Sequence, residues 1–400
     1  MNIKIKFGSF KIPLNFLIIL ISFIYCSPDF FVKNSLFSTR IFYIRLVCSF
    51  IAILVWMFSI KKEKYIKNFL NYYLVYCLIC VISTLINNGD MIKIFGNSLN
   101  TIGLIIWTGI IFQGKYKTVF KIYIFYLFGL IIINWLFLFI FPNGYAITED
   151  YYRFNFLGID NNTTPYVLVV CCGLYYFYVQ YKYESVKFLY MLGFILAAGQ
   201  IFWLKVGTGI LGILVFFVLI LIDKYLSLEK VFKPNFFIVF FLIFGICAVL
   251  LKPNNLIADF VAKLVDKDIS FSGRTTIWKI VVNYIFLHPW LGYGIQTKNI
   301  VRTITEIERS YAPASHAHSQ YLQIIVDTGV ISLIPILALF FNLFRKARRK
   351  WNIKRVRILM YGIISFFIMA IGEVLFFDIF WQFLFIVYVL ICKDKGYQRI

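Results

Sequence analysis

Charge is what this sequence has least of. Asp, Glu, Lys and Arg make up 14% of its 400 residues, where soluble domains carry about a quarter, and that shortage excludes an ordinary soluble fold. Long polar intervals are scarce too, and outside residues 252–322 none leaves room for a separate soluble domain. The cysteines offer no metal or redox pair. Cys26, Cys48, Cys77, Cys80, Cys171, Cys172, Cys247 and Cys392 fall within or at the ends of apolar runs, where cysteine behaves as a small hydrophobe. The N-terminus has Lys4, Lys6 and Lys11 ahead of an apolar run ending at Cys26, yet lacks a small-residue cleavage pattern, which predicts an uncleaved first span.

What the chain has in abundance is apolar length. Hydrophobic residues make up 61% and aromatic residues 20%, gathered in recurring runs long enough for spanning helices. The expectation is an all-α polytopic membrane protein with about twelve transmembrane helices. They fall at roughly 12–26, 41–60, 69–86, 92–112, 118–141, 164–181, 187–204, 206–222, 235–251, 321–344, 358–374 and 378–392. One long external loop separates spans nine and ten. The chain thus divides into a transmembrane bundle over 1–251, an external loop with an amphipathic helix over 252–320, and C-terminal spans with a short tail over 321–400.

The net charge of +22 does not signal nucleic acid, because Lys and Arg sit in short connectors between apolar runs, as the positive-inside rule describes. With the N-terminus inside, the short inside segments hold 26 Lys and Arg and the short outside segments 5. Both termini are therefore expected in the cytoplasm and the long loop outside. The cluster RKARRKWNIKRVR, residues 345–357, is the strongest topological determinant, ahead of a role in binding lipid.

Three external places carry polar residues worth weighing. In YYRFNFLGIDNNTTPY, Arg153 is a phosphate ligand or an ion-pair partner of Glu149 or Asp150, and Asn161 and Asn162 read as helix caps before Pro165. In the hairpin WLKVGTGI, Lys205 sits at the membrane boundary, where it snorkels, pairs with an acid or holds an anion. In the long loop, SGRTTIW puts Arg274 at the start of a helix whose Ile277, Ile280, Val281, Tyr284 and Ile285 share a face suited to the membrane surface. Backbone donors at that helix start, together with Arg274, would suit an anion.

The three histidines, His288, His316 and His318, all lie in this loop. HPWLGYG reads as a structural corner, which sets His288 aside. SHAHSQYL leads into span ten, where Gln320, Gln323 and Asp327 form one polar stripe with Ser319 and His318 at its outer end. An acid inside a span faces the protein interior or a wet cavity, so Asp327 is a site candidate. His316 and His318 fall short of the three or four ligands zinc needs, and no metal is expected. Asp266-Lys267-Asp268 imitates a metal-binding Asp-x-Asp motif but lies outside, where nucleotide sugars are not supplied, and reads as a solvated charge run. Glu373 and Asp378 close span eleven near the same outer face, as partners for Lys205 or Arg274.

Cations plus a neutral-pH base on an outer face suit a lipid-linked pyrophosphate donor. Fixed cations stabilise the charge that gathers on the leaving pyrophosphate, and a histidine takes the proton of the acceptor hydroxyl. SGRTTIW, HPWLGYG and SHAHSQYLQIIVDTGVISL, in that order, resemble the O-antigen ligase and polymerase family of bacterial polysaccharide assembly, as do RFNFLGIDNN and KVGTGI upstream. The resemblance implies that Arg153, Lys205 and Arg274 carry the donor phosphates and that His318 is the base; together with the polar stripe, the expected site is catalytic His318 and Arg274, with Arg153, Lys205, His316, Ser319, Gln323 and Asp327 binding substrate, and no cofactor. It implies an undecaprenyl-pyrophosphate-linked oligosaccharide as donor, flippase and chain-length regulator proteins as partners, and an outward-facing site in the bacterial inner membrane. Within the family the motifs look most like those of polymerases. Two departures stand out: Lys205 where many members have Arg, and Ser319 where Asn often follows the histidine. A transporter or flippase would instead spread its charges through the spans.

Overall fold

The computed structural model describes residues 4–7, 10–32, 35–59, 63–147, 153–181, 183–226, 274–308 and 314–394. The expected ninth span, Asp266-Lys267-Asp268, Glu149 and Asp150 lie outside the described residues. Two small antiparallel sheets are present, β1 (Lys4–Phe7) with β2 (Phe10–Pro13), and β3 (Ala146–Ile147), β4 (Arg153–Asn155) and β5 (Gly158–Ile159). The rest is helical. The bundle begins with α1 (Leu14–Tyr25), α2 (Asp29–Val32), α3 (Ser35–Phe58), α4 (Lys64–Ile86), α5 (Met91–Ile111) and α6 (Tyr116–Ile140). It continues with α7 (Thr163–Gln180), α8 (Glu184–Trp203) and α9 (Gly207–Leu226). Then come α10 (Arg274–Leu287), α11 (Ile300–Ile307), α12 (Gln320–Thr328), α13 (Leu333–Arg348), α14 (Lys354–Gly372) and α15 (Asp378–Lys393).

Among the described residues, eight helices are long and apolar enough to cross a membrane: α3 to α6, α8, α9, the stretch Val330–Arg348 that contains α13, and α14. α1, α7 and α15 stand at three further expected spans. The bundle is ordered around α14, whose apolar window is 89% buried against 11% for the peripheral α3. α14 packs on α7 and α9, and α15 packs on α5.

Cations near the α13–α14 connection and the end of α15 serve the fold directly. Lys350 Nζ donates to the carbonyls of Ile391, Cys392 and Asp394 at the end of α15, and Lys393 Nζ donates to Phe112 and Gln113 at the end of α5. Each satisfies carbonyls a helix terminus leaves orphaned. Arg357 pairs with Asp223 at 2.9 Å and Arg355 with Asp394 at 3.4 Å. Arg45, the cation inside a span, donates to Ile24 O at 2.8 Å and lies 3.8 Å from Asp378. Asp378 therefore pairs with Arg45 and not with Lys205 or Arg274.

Two expectations need correction. The tenth span does not run unbroken from 321. Gly329, at φ +76°, ends α12, and the corner HPWLGYG docks at the break, with Val330 N donating to Pro289 O at 2.9 Å. Membrane-length apolar helix begins at Val330, so Gln320, Gln323 and Asp327 precede the span. The apolar face of α10 also does not lie on lipid. Ile277, Ile280, Val281, Tyr284 and Ile285 pack into a second core with Trp278, α11 and α12, because α11 and α12 supply a protein surface for that stripe. The large apolar side chains left exposed are Phe286, Leu287 and Trp290, beyond it.

The lobe built from α10, α11 and α12 is moored to the α4–α5 turn. Asp90 N donates to Ile295 O at 2.7 Å, Ile295 N to Thr84 Oγ1 at 3.1 Å, and Lys93 Nζ to Gln296 O at 2.9 Å. HPWLGYG is thus a structural corner, with Gly292 and Gly294 at positive φ.

Gly329 is the sharpest test of the break. A Cβ there would overlap the Trp290 carbonyl oxygen, and positive φ disfavours any side chain, so Gly329→Ala should cost roughly 1–3 kcal/mol. The expected outcome is a lower melting temperature and less folded protein in detergent, while Gly129→Ala, with open space at its Cβ, changes neither.

Candidate active site

The site is built on one buried carboxylate. Glu373 follows the last turn of α14 in extended conformation and is 3% exposed. A buried charge costs several kcal/mol unless it is paired, and every oxygen of this one has partners. Oε2 accepts from Asn161 Nδ2 at 2.7 Å and from Arg274 Nη2 at 3.1 Å. Oε1 accepts from Val374 N at 3.2 Å and lies 3.5 Å from His318 Nδ1 and 3.6 Å from His316 Nε2. Asn161 comes from the turn before α7, Arg274 from the start of α10, and the histidines from the loop before α12. One acid thus gathers three segments far apart in sequence.

The histidine loop has its own geometry. His318 sits at φ +46°, and its backbone N–H donates to His316 Nδ1 at 3.2 Å, with the two rings 4.2 Å apart. An Nδ1 that accepts is unprotonated, so the neutral His316 ring carries its proton on Nε2, toward Glu373. His318 Nδ1 faces the same carboxylate oxygen at 3.5 Å without a hydrogen bond. Burial, followed by the neighbouring His318, holds His316 down to about 4. Burial alone would raise the Glu373 carboxyl, but His318, Arg274 and His316 outweigh it and hold it below the usual carboxylate range.

His316, His318 and Glu373 place three possible ligand atoms within 4.8 Å of one another, a cluster that sequence reasoning did not assemble because Glu373 lies 55 residues beyond His318. The hydrogen bonds fit it poorly to a metal. With His316 Nδ1 accepting the His318 amide, Nε2 bears the proton and offers no lone pair, which leaves fewer protein ligands than a zinc site uses.

The other expected residues are placed as follows. Arg153 pairs with Asp160 at 2.9 Å, and Asn155 Nδ2 donates to the same carboxylate at 2.7 Å. This sets Arg153 beside the Asn161 turn, though not on Glu373. Asn161 and Asn162 do not cap α7: the first binds Glu373 and the second donates to Asp29 at 2.7 Å. Lys205 is exposed at φ +53° in the α8–α9 turn, and Thr208 just beyond it lies against Gly372. Ser319 is fully buried. Gln323 Oε1 accepts from Ala317 N and its Nε2 donates to Asp327, both at 2.9 Å. Burial pushes the Asp327 carboxyl up to about 7, against the lowering effect of Gln323. His288 packs against Tyr293 at the corner, ring centroids 4.6 Å apart. Gln320, named only as part of the stripe, holds the Leu375 and Phe376 amides just after Glu373, at 2.9 and 2.8 Å.

Fold and site together define a multi-pass helical membrane protein with a histidine, arginine and carboxylate cluster where a polar lobe meets the bundle. Residues 166–337 match the family model described as O-Antigen ligase. That stretch holds Lys205, Arg274, both histidines and Asp327, while Arg153 and Glu373 lie outside it. A Rickettsia felis protein named "Putative polysaccharide ligase" is 28% identical over 132 residues, 30% of this chain and 31% of that protein. A protein of the same description from Rickettsia conorii is 26% identical over 168 residues, 38% and 40% of the two chains. The matches thus span under half of each relative. They support the O-antigen ligase and polymerase family for this chain.

His316 gives the site a pH signature. Its folded-state value near 4 lies below the unfolded one near 6.5, so the unfolded chain binds the proton first and stability falls as pH drops from about 6.5 toward 4. The depressed Glu373 acts in the same direction, its contribution lost as pH falls through its folded value. His316→Asn keeps an acceptor near the His318 amide and removes the titration. Its melting temperature in detergent should fall less steeply than that of the unmodified protein between about pH 6.5 and 4.

Proposed function

We propose that this protein is a metal-independent glycosyltransferase whose donor is a glycan carried on a lipid pyrophosphate. The acceptor is a sugar hydroxyl of the next lipid-linked repeat unit, which makes the protein a polysaccharide polymerase. The observation that supports it is the meeting of Arg274 and His318 on one buried carboxylate, at the end of the bundle assigned to the outside by the positive-inside rule.

In this reading His318 Nε2 takes the proton from the acceptor hydroxyl while that oxygen attacks the anomeric carbon of the donor. The bond from that carbon to the phosphate oxygen breaks, and its electron pair leaves with the lipid pyrophosphate. Glu373 holds the His318 tautomer and balances the imidazolium that forms, as an acid behind a histidine base does. Arg274 shares its guanidinium between Glu373 and the leaving phosphate, and Arg153 and Lys205 add charge at the rim. His316 and Ser319 complete the proposed substrate-binding set; Gln323 and Asp327, expected there from the sequence, have their polar ends on protein partners. The bilayer delivers the donor, with a flippase and a chain-length regulator as partner classes, at the outer face of a bacterial inner membrane with both termini in the cytoplasm. The chain's three-part division, 1–251, 252–320 and 321–400, belongs to the same proposal.

The names of the relatives favour a second reading, a ligase that moves finished glycan onto lipid A-core. Deletion followed by glycan profiling separates the two. Loss of the long-chain ladder, with a single repeat unit still carried, is the polymerase result; accumulation of long carrier-linked chains that reach no lipid A-core is the ligase result. In either case His318→Ala should lower turnover by about 10² to 10⁴-fold with the protein still in the membrane, and a chelator should leave the rate unchanged. A His318→Ala variant that retains full turnover would sink both.

A further inference from the structure

We infer that Trp278, Gln323 and Asp327 are positioning residues that clamp the Ala317 peptide and so aim His318 at Glu373; this rests on the reading of His318 as the base. Ala317 is fully buried between the two histidines. Its N–H donates to Gln323 Oε1 and its carbonyl accepts from Trp278 Nε1, each at 2.9 Å. The peptide is thus gripped on both edges, from α12 and from α10.

Asp327 decides which end of the Gln323 amide does the gripping. Gln323 Nε2 lies 2.9 Å from both Asp327 carboxyl oxygens, and when Asp327 is ionised those oxygens only accept and can face only the NH₂ end. The carbonyl end is thereby committed to Ala317. The next residue, His318, takes a left-handed conformation that a side chain disfavours, and such geometry persists where surrounding contacts over-determine it. The clamp supplies those contacts. Trp278 also lies one turn after Arg274 on α10, so one rigid helix sets Arg274 on Glu373 and the histidine loop beside it. The polar ends of Gln323 and Asp327 are therefore turned onto the protein, where the polar stripe read from the sequence had them binding substrate.

The test uses the full chain in detergent or nanodiscs with a pH series running up to about 10, because two facing acids in a Gln323→Glu protein share a proton until the second one ionises. Two acids then oppose each other, the grip is released, and kcat should fall by about 10²-fold, the scale of an ångström-sized misplacement. KM for the lipid-linked donor should move by less than about threefold. Adding Asp327→Asn returns a donor to face the new acid and should restore most of kcat. Trp278→Phe keeps an aromatic ring in the second core while removing the indole N–H together with the five-membered ring, so it should lower kcat in the same way and serves if Gln323→Glu does not fold. A second readout is independent of turnover: modification of His318 by diethyl pyrocarbonate, located by mass spectrometry, should speed up in each single variant and slow again in the double. A double variant as poor as Gln323→Glu, with raised KM and unchanged His318 modification, assigns the pair to substrate and overturns the clamp. Unchanged kcat and modification in both single variants also overturn it. If His318→Ala itself turns over, the proposed reaction fails, while the modification rates still decide the clamp.

Discussion

An ionised carboxylate at the buried end of a membrane helix is the constraint on which this architecture turns. Glu373 cannot be left alone there, and the contacts that satisfy it draw in Asn161, Arg274, His316 and His318 from three separate segments. A stabilising requirement and a chemical one coincide, since the acid that needs cations and donors for solvation gives a histidine its orientation and an arginine its place. Removing the acid would leave Arg274, His316 and His318 without their shared carboxylate in a buried site, where such losses are largest.

Much of this could be read in the sequence. Span positions followed from the lengths of apolar runs, and α3 to α9, α14 and α15 begin or end within a few residues of expectation. The cluster's polar members were also visible as residue types, because SGRTTIW and SHAHSQYL stand out in an otherwise apolar chain. What could not be read was pairing. Asn161 looked like a cap because Asn commonly fills that role, and only the approach of α14 turns its amide toward Glu373. Asp378 and Glu373 are near neighbours in sequence, yet one faces Arg45 and the other Arg274, a division fixed by helix packing.

The two corrected elements fail for a shared reason. Periodicity reports that a face is apolar without reporting what covers it, so the stripe on α10 fitted lipid as well as it fits α11 and α12. Likewise, an apolar run does not show where a glycine is needed to admit another strand of chain. At Gly329 the corner from Pro289 to Trp290 enters, and the helix yields. Local patterns constrain elements, and contacts between distant segments settle how those elements are used.

The mooring of the α10–α12 lobe has a mechanical consequence. Residues 291–297 are tied to the α4–α5 turn through backbone and side-chain hydrogen bonds, and the same lobe carries Arg274 and the histidine loop. A tilt or vertical slide of that helical hairpin, of the kind a thinner or thicker bilayer imposes, would act as a lever on this lobe. The spacing between His318 and Glu373 would then respond to the thickness of the surrounding lipid.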